Sequence, residues 1–256
     1  MSELITSRIT AHATRLGLPH LAENLPLLVE RAETDNMGYR EFIDTILGEE
    51  LGLREGRRFR TALKLSGLPH HKTLDEFDFA FQPDLDVRKI RDLAALSFVT
   101  EHRNVALLGP PGTGKTHIAT ALAVAACQAG HSIYCTSLDD CVRQLRAAEA
   151  AGRFAKKLQT YLRPSVLVLD EVGYLPCDRA AANMVFQLIS RRYERGSIIL
   201  TSNKTFSEWG QVFTDEVIAT AILDRLLHHC DVLAINGPSY RLKDRASLAP
   251  TANSVS

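Results

Sequence analysis

The sequence contains no CxxC pair: its five cysteines, Cys127, Cys135, Cys141, Cys177 and Cys230, are scattered. That spacing excludes a zinc ribbon or finger and gives no disulfide framework, and it fits a reducing, cytoplasmic setting. Nor is there an excess of either charge, with 30 Lys and Arg against 30 Asp and Glu. Bulk charge therefore points to no polyanionic partner, and a nucleic-acid role has to rest on a local patch. Long hydrophobic runs are missing as well. The longest, Ile118–Cys127, falls far short of the roughly 20 residues that span a bilayer. The opening MSELITSR lacks the basic-then-apolar pattern of an export signal, so no membrane role is expected.

What is present is 256 residues of 45% apolar composition, enough for one sizeable α/β core and a smaller appended unit. Residues 1–70 carry helical apolar spacing, as in Leu25, Leu28 and Val29 and then Phe42, Ile43, Ile46 and Leu47, which predicts a small helical N-terminal domain. Residues 71–86, with Phe77, Phe79, Phe81 and Pro83, read as a turn-rich linker. From 87 to 245, helical stretches alternate with the short apolar runs Val105–Leu108, Ile133–Cys135, Val166–Leu169, Ile198–Leu200 and Val232–Ile235. That alternation predicts a five-stranded parallel sheet covered on both faces. The small, polar residues 246–256 read as a disordered tail.

The strongest chemical signal is Gly109-Pro110-Pro111-Gly112-Thr113-Gly114-Lys115-Thr116, between the apolar run NVALL and the helical run HIATALAVAA. Strand, glycine-rich loop and helix are the context that a phosphate-binding P-loop requires. Its glycines let successive N–H groups point at phosphate oxygens, and the following helix adds the positive end of its dipole. Lys115 is then expected to reach the terminal phosphates of ATP, and the Thr116 hydroxyl to ligate Mg²⁺. The run Val166–Leu169 ends in Asp170 and Glu171, at the sheet edge where parallel strands bind ligands. Asp170 is expected to hold the metal and Glu171 to polarise the attacking water. Asn203, after the run Ser197–Leu200, reaches the same edge and is a candidate to orient the water or touch the terminal phosphate.

Phosphoryl transfer also needs cations on the developing charge, and four arginines come into question. Arg225 lies outside the loop, where a neighbouring subunit's site could use it, and Arg241 follows the last strand. Arg191 and Arg192 sit late in a helix that starts near Asp178. Taken one by one, each of the four reads first as a surface ion pair.

Arg54, Arg57, Arg58, Arg60, Lys64 and Lys72 cluster in and just after the N-terminal domain with only Glu55 opposing them. Such a face suits sequence-tolerant, salt-sensitive phosphate contacts, and equally an ordinary solvated helix surface. Lys156 and Lys157 form a smaller basic pair. The adjacent histidines His70-His71 and His228-His229 have no third ligand near them in sequence, so no metal site is expected there. The phenylalanines of the linker and Trp209 read as packing groups.

Taken together, the P-loop, the Asp-Glu strand, Asn203 and the late arginines resemble the AAA+ ATPases of the initiator and helicase-loader group. The segments FQLISRRYERGSIILTSN, FSEWGQVF and AILDRLLHHCDVLAINGPSYRLK, with the connector KTLDEFDF, are similar to the IstB-like family of bacterial insertion-sequence helper proteins. The resemblance implies an ATP-dependent, self-assembling protein that binds duplex DNA and serves a partner transposase. It also implies that Arg225 acts across subunits as a finger, that Arg241 acts within one subunit as a sensor, and that Lys156 and Lys157 lie where initiator-type ATPases face DNA. A full C-terminal lid is not expected, because few residues follow the last strand. The same motifs also fit a helicase-loader-like adaptor that holds a replicative helicase. A small-molecule kinase is disfavoured, since no residues are left over for its substrate pocket and lid.

Overall fold

The structure, a computed structural model, describes residues 2–174 and 176–243, so the tail read at 246–256 lies outside the described residues. Packing divides the chain into two units, residues 1–61 and 62–256.

The first unit is built from α1 (Ser2–Leu16), α2 (Pro19–Thr34) and most of α3 (Tyr39–Leu65). Pro19 opens α2, where its missing N–H costs no hydrogen bond. Ala13, Leu25 and Leu28 are buried. The helix α2 has no side-chain cap of its own; Glu50, from α3, serves instead. Its carboxylate accepts from the N–H groups of His20 at 2.9 Å and Leu21 at 3.2 Å. An acid at this positive end of a helix is favourable by about 1 kcal/mol.

The second unit alternates helix and strand. It contains α4 (Val87–Ala94), α5 (Ser97–Thr100), β1 (Asn104–Leu108), α6 (Lys115–Gln128), β2 (Ile133–Ser137), α7 (Leu138–Ala150) and α8 (Phe154–Leu162). There follow β3 (Val166–Val172), α9 (Arg179–Arg192), β4 (Ser197–Ser202), α10 (Trp209–Phe213), α11 (Glu216–Leu227) and β5 (Cys230–Ala234). The strands are parallel throughout, in the order β2-β3-β4-β1-β5. Because they are parallel, the ends of β1, β3 and β4 meet at one edge of the sheet.

Local sequence explains these elements. Most of the residues of β1, β3 and β4 are buried, which is why each is a continuous apolar run rather than an alternating one. The helix α6 buries residues on all its faces, Ile118, Leu122 and Val124 among them, and its sequence is correspondingly apolar all round. Ser137, Asp178 and Asp215 cap α7, α9 and α11 by accepting first-turn N–H groups, each worth about 1 kcal/mol. Trp209, Phe213 and Tyr161 fill the core between these helices, so Trp209 is the packing group it was expected to be. No helix among the described residues is long and apolar enough to cross a membrane.

Two expectations need correction. The strand β3, expected to end in its two acids, runs one residue past them to Val172, with a register shift after Leu169. And Arg192 is no surface group, being only 2% exposed. Its guanidinium donates to the carbonyls of Tyr161 (2.8 Å), Pro164 (2.9 Å), Ser165 (3.2 Å) and Ser197 (2.8 Å). The turns leading into β3 and β4 leave these oxygens inside, and a planar cation with five N–H donors satisfies them. Burial pushes Arg192 down to about 10.

Candidate nucleotide-binding site

The loop between β1 and α6 has the geometry its glycines imply. Gly112 and Gly114 have φ of +83° and +97°, a region that side chains other than hydrogen disfavour. There is also no space for a side chain: a Cβ on Gly112 would lie 2.0 Å from Ser239 Oγ, and one on Gly114 2.5 Å from the Phe77 ring. Two segments thus press on the loop. From one side comes the linker, where Phe79–Phe81 form a short turn capped by Asp78 rather than an extended run. From the other comes the chain after β5, whose Tyr240 N–H donates to Gly112 O at 2.9 Å. The two segments are joined by Gln82 Nε2 donating to Pro238 O at 2.9 Å and by a Lys243–Asp78 ion pair of 2.9 Å.

Lys115 is 6% exposed. Its Nζ donates to the loop's own carbonyls, Gly109 O at 2.7 Å and Pro110 O at 2.6 Å. Burial holds its pKa down at about 8; Asp170 works against that fall and Arg241 adds to it. The Thr116 hydroxyl donates to Asp170 Oδ1 at 3.0 Å, and the Thr201 hydroxyl donates to the same oxygen. Thr201 Oγ1 in turn accepts the Glu171 N–H at 3.0 Å. An alcohol oxygen beside a carboxylate is a hard-oxygen donor set, and it fits Mg²⁺.

These groups border a cavity of about 730 Å³. Lys115, Thr116, Glu171, Thr201, Asn203 and Arg241 line it together with Gly112, Thr113 and Gly114, and His70, His71 and Tyr240 belong to the same lining. The fold therefore brings Arg241 to the loop of its own chain. It does not bring Arg225 there. Asn104, which opens β1, donates to Leu226 O at 2.9 Å, so Arg225 stands at the opposite edge of the sheet. The loop begins five residue steps further along the chain, about 17 Å at strand spacing. Arg225 stacks on Phe186 at 4.8 Å and donates to Ala221 O at 3.2 Å, which is neither a surface ion pair nor a contact with the P-loop.

Arg54, Arg57, Arg58, Arg60 and Lys64 all lie exposed on α3. The four arginines fall within about 160° of the helix at 3.6 residues per turn. Two of them serve the fold as well: Arg54 donates to Gly17 O at 2.7 Å, and Arg57 lies 3.6 Å from Glu50. Lys157 packs over Tyr161 at 5.2 Å. Across the fold, Glu194 joins His228 and His229 in one exposed cluster. No spacing in the sequence reveals that third group. Sequence reading also passed over Thr201, whose only signal is a hydroxyl on the strand neighbouring the acids.

A P-loop at the end of β1, facing acids on β3 across a 2-3-4-1-5 parallel sheet, defines an AAA+ P-loop ATP-binding protein. The chain belongs to the IstB-like ATP-binding protein family, whose profile matches residues 11–248. An ATP-binding protein of insertion sequence IS5376 from Geobacillus stearothermophilus is 46% identical over 93% of this chain and 95% of its own length. One of insertion sequence IS21 from Pseudomonas aeruginosa is 48% identical over 91% of this chain and 88% of its own. Among solved structures, AMPPCP-bound DnaA from Aquifex aeolicus superposes with a TM-score of 0.56 at 22% identity, covering 71% of this chain and 56% of that one. DnaI gives 0.54 at 21% identity, covering 66% and 89%. These two likenesses concern the fold alone.

Proposed function

We propose that this chain is an ATP-hydrolysing, DNA-binding transposition helper that assembles as a homo-oligomer on duplex target DNA and assists a partner transposase. The observation that carries this reading is the separation of Arg225 from the P-loop by the length of the sheet. An arginine there is out of reach of its own chain's P-loop, which supports a role at the site of a neighbouring copy that would couple ATP turnover to assembly. Membership of the IstB-like family and relatives encoded in insertion sequences support the transposition setting. The exposed arginine face of α3 supports contact with DNA phosphates, which is tolerant of sequence.

Within one site, Lys115 exchanges the carbonyls of Gly109 and Pro110 for the terminal phosphates of ATP. The N–H groups of the glycine loop and the start of α6 hold the remaining phosphate charge. Thr116 and Asp170 would hold Mg²⁺, which when bound neutralises phosphate charge. Glu171 orients the attacking water and draws on its proton, while Asn203 aligns that water from β4. Arg241 approaches the phosphates from the same chain, and Arg225 from the next.

The test is ATPase rate and particle size, with and without duplex DNA, at about 50 and 200 mM salt. The expected result is ATP-dependent assembly on DNA that weakens at the higher salt. If DNA changes neither rate nor size, the reading fails in favour of a helicase-loader-like adaptor.

A further inference from the structure

We infer that Thr201 is a positioning residue for ATP hydrolysis, its hydroxyl holding Asp170 and Glu171 in one arrangement. The inference rests on the ATPase reading above. In the pairing of β3 with β4, Leu169 faces Leu200 and Val172 faces Ser202. Two residues, Asp170 and Glu171, therefore stand opposite Thr201 alone. A bulge of this kind leaves a backbone N–H without its ladder partner. Here that N–H belongs to Glu171, whose φ of +58° is one that residues other than glycine avoid. Thr201 Oγ1 takes it at 3.0 Å.

The same hydroxyl has a single proton, and it goes to Asp170 Oδ1. Thr201 is 1% exposed, so with that proton committed it has none to offer a phosphate or a water. It borders the same cavity as Asn203, but where Asn203 is exposed two residues further on, the Thr201 hydroxyl is fully engaged with the two acids. Asp170 Oδ1 has one other side-chain donor, Thr116. Once Thr116 turns its hydroxyl toward a metal, Thr201 remains to keep the carboxylate in line. One side chain thus fixes both the metal-holding acid and the backbone turn that aims Glu171.

The test uses full-length Thr201→Val, which keeps volume and β-branching but removes the hydroxyl, beside Thr201→Ser, which keeps the hydroxyl. With wild type turning over, Thr201→Val should lower kcat by about 100-fold, the scale of a misplaced reacting group. Its Kd for ATP should stay within about threefold, and the Mg²⁺ concentration for half-maximal rate should rise severalfold; Thr201→Ser should recover most of kcat. Fluorescence of Trp209, the sole tryptophan, reports folding, and Thr201→Cys takes the place of the valine variant if that variant is unfolded. Wild-type kcat in Thr201→Val overturns the inference and leaves the ATPase reading standing. Equal losses in the serine and valine variants, or losses of binding and turnover together, overturn it in favour of a packing role. A wild-type chain that hydrolyses no ATP under any condition overturns both readings.

Discussion

Lys115 is the group through which pH should reach the nucleotide, because burial beneath the loop lowers its pKa from an ordinary 10.5 to about 8. At that value Lys115 is about 90% protonated at pH 7, half protonated at pH 8 and about 10% protonated at pH 9. Only the cation can replace the Gly109 and Pro110 carbonyls with phosphate oxygens. Affinity for ATP should therefore fall about tenfold between pH 7 and pH 9, equivalent to about 1.4 kcal/mol. The phosphates do not contribute, since their last ionisation, near 6, lies below this window. Binding should also draw protons from solution, about half a proton per nucleotide at pH 8. Titration calorimetry in two buffers of different ionisation enthalpy measures that uptake directly. Removing the nearby cation with Arg241→Ala should move the fall to higher pH, because Arg241 holds Lys115 down. Flat affinity to pH 9, with no proton uptake at pH 8, would refute the reasoning.

In the empty protein the sign is reversed. Between about 8 and 10.5 the unfolded chain holds more protons at Lys115 than the folded one, so stability rises with pH. Relative to Lys115→Met, urea unfolding should show a gain of up to about 3 kcal/mol across that range. Glu171→Gln should keep ATP binding and stall hydrolysis, accumulating an ATP-bound assembly visible by size; turnover equal to wild type would sink the role of Glu171. Arg225→Ala should lose ATPase activity and regain it in mixed assemblies with Lys115→Ala subunits, which carry an intact Arg225. Absence of that complementation would rule out action between copies. Arg192→Met should destabilise the second unit by about 3–5 kcal/mol, because it leaves several buried carbonyls without a donor; the Trp209 signal in urea reads the change.

The P-loop was legible because its chemistry is contiguous: a strand, eight loop residues and a helix carry the phosphate site without help from the rest of the chain. The five strands were legible for a related reason. A parallel sheet covered on both faces needs unbroken apolar runs, and such runs stand out in sequence. Asp170, Glu171 and Asn203 followed from these, since parallel strands deliver their ends to one edge.

What the sequence by itself determined is thus the fold class, the ATP-binding loop and the edge at which chemistry gathers. Tertiary structure alone decided which distant groups meet there. It set Thr201 beneath both acids, Arg241 in the cavity and Arg225 at the far end of the sheet, and it turned Arg192 inward to bind the carbonyls of two turns. The physical reason is that strand pairing and side-chain burial join residues tens of positions apart, and no local periodicity records such a meeting.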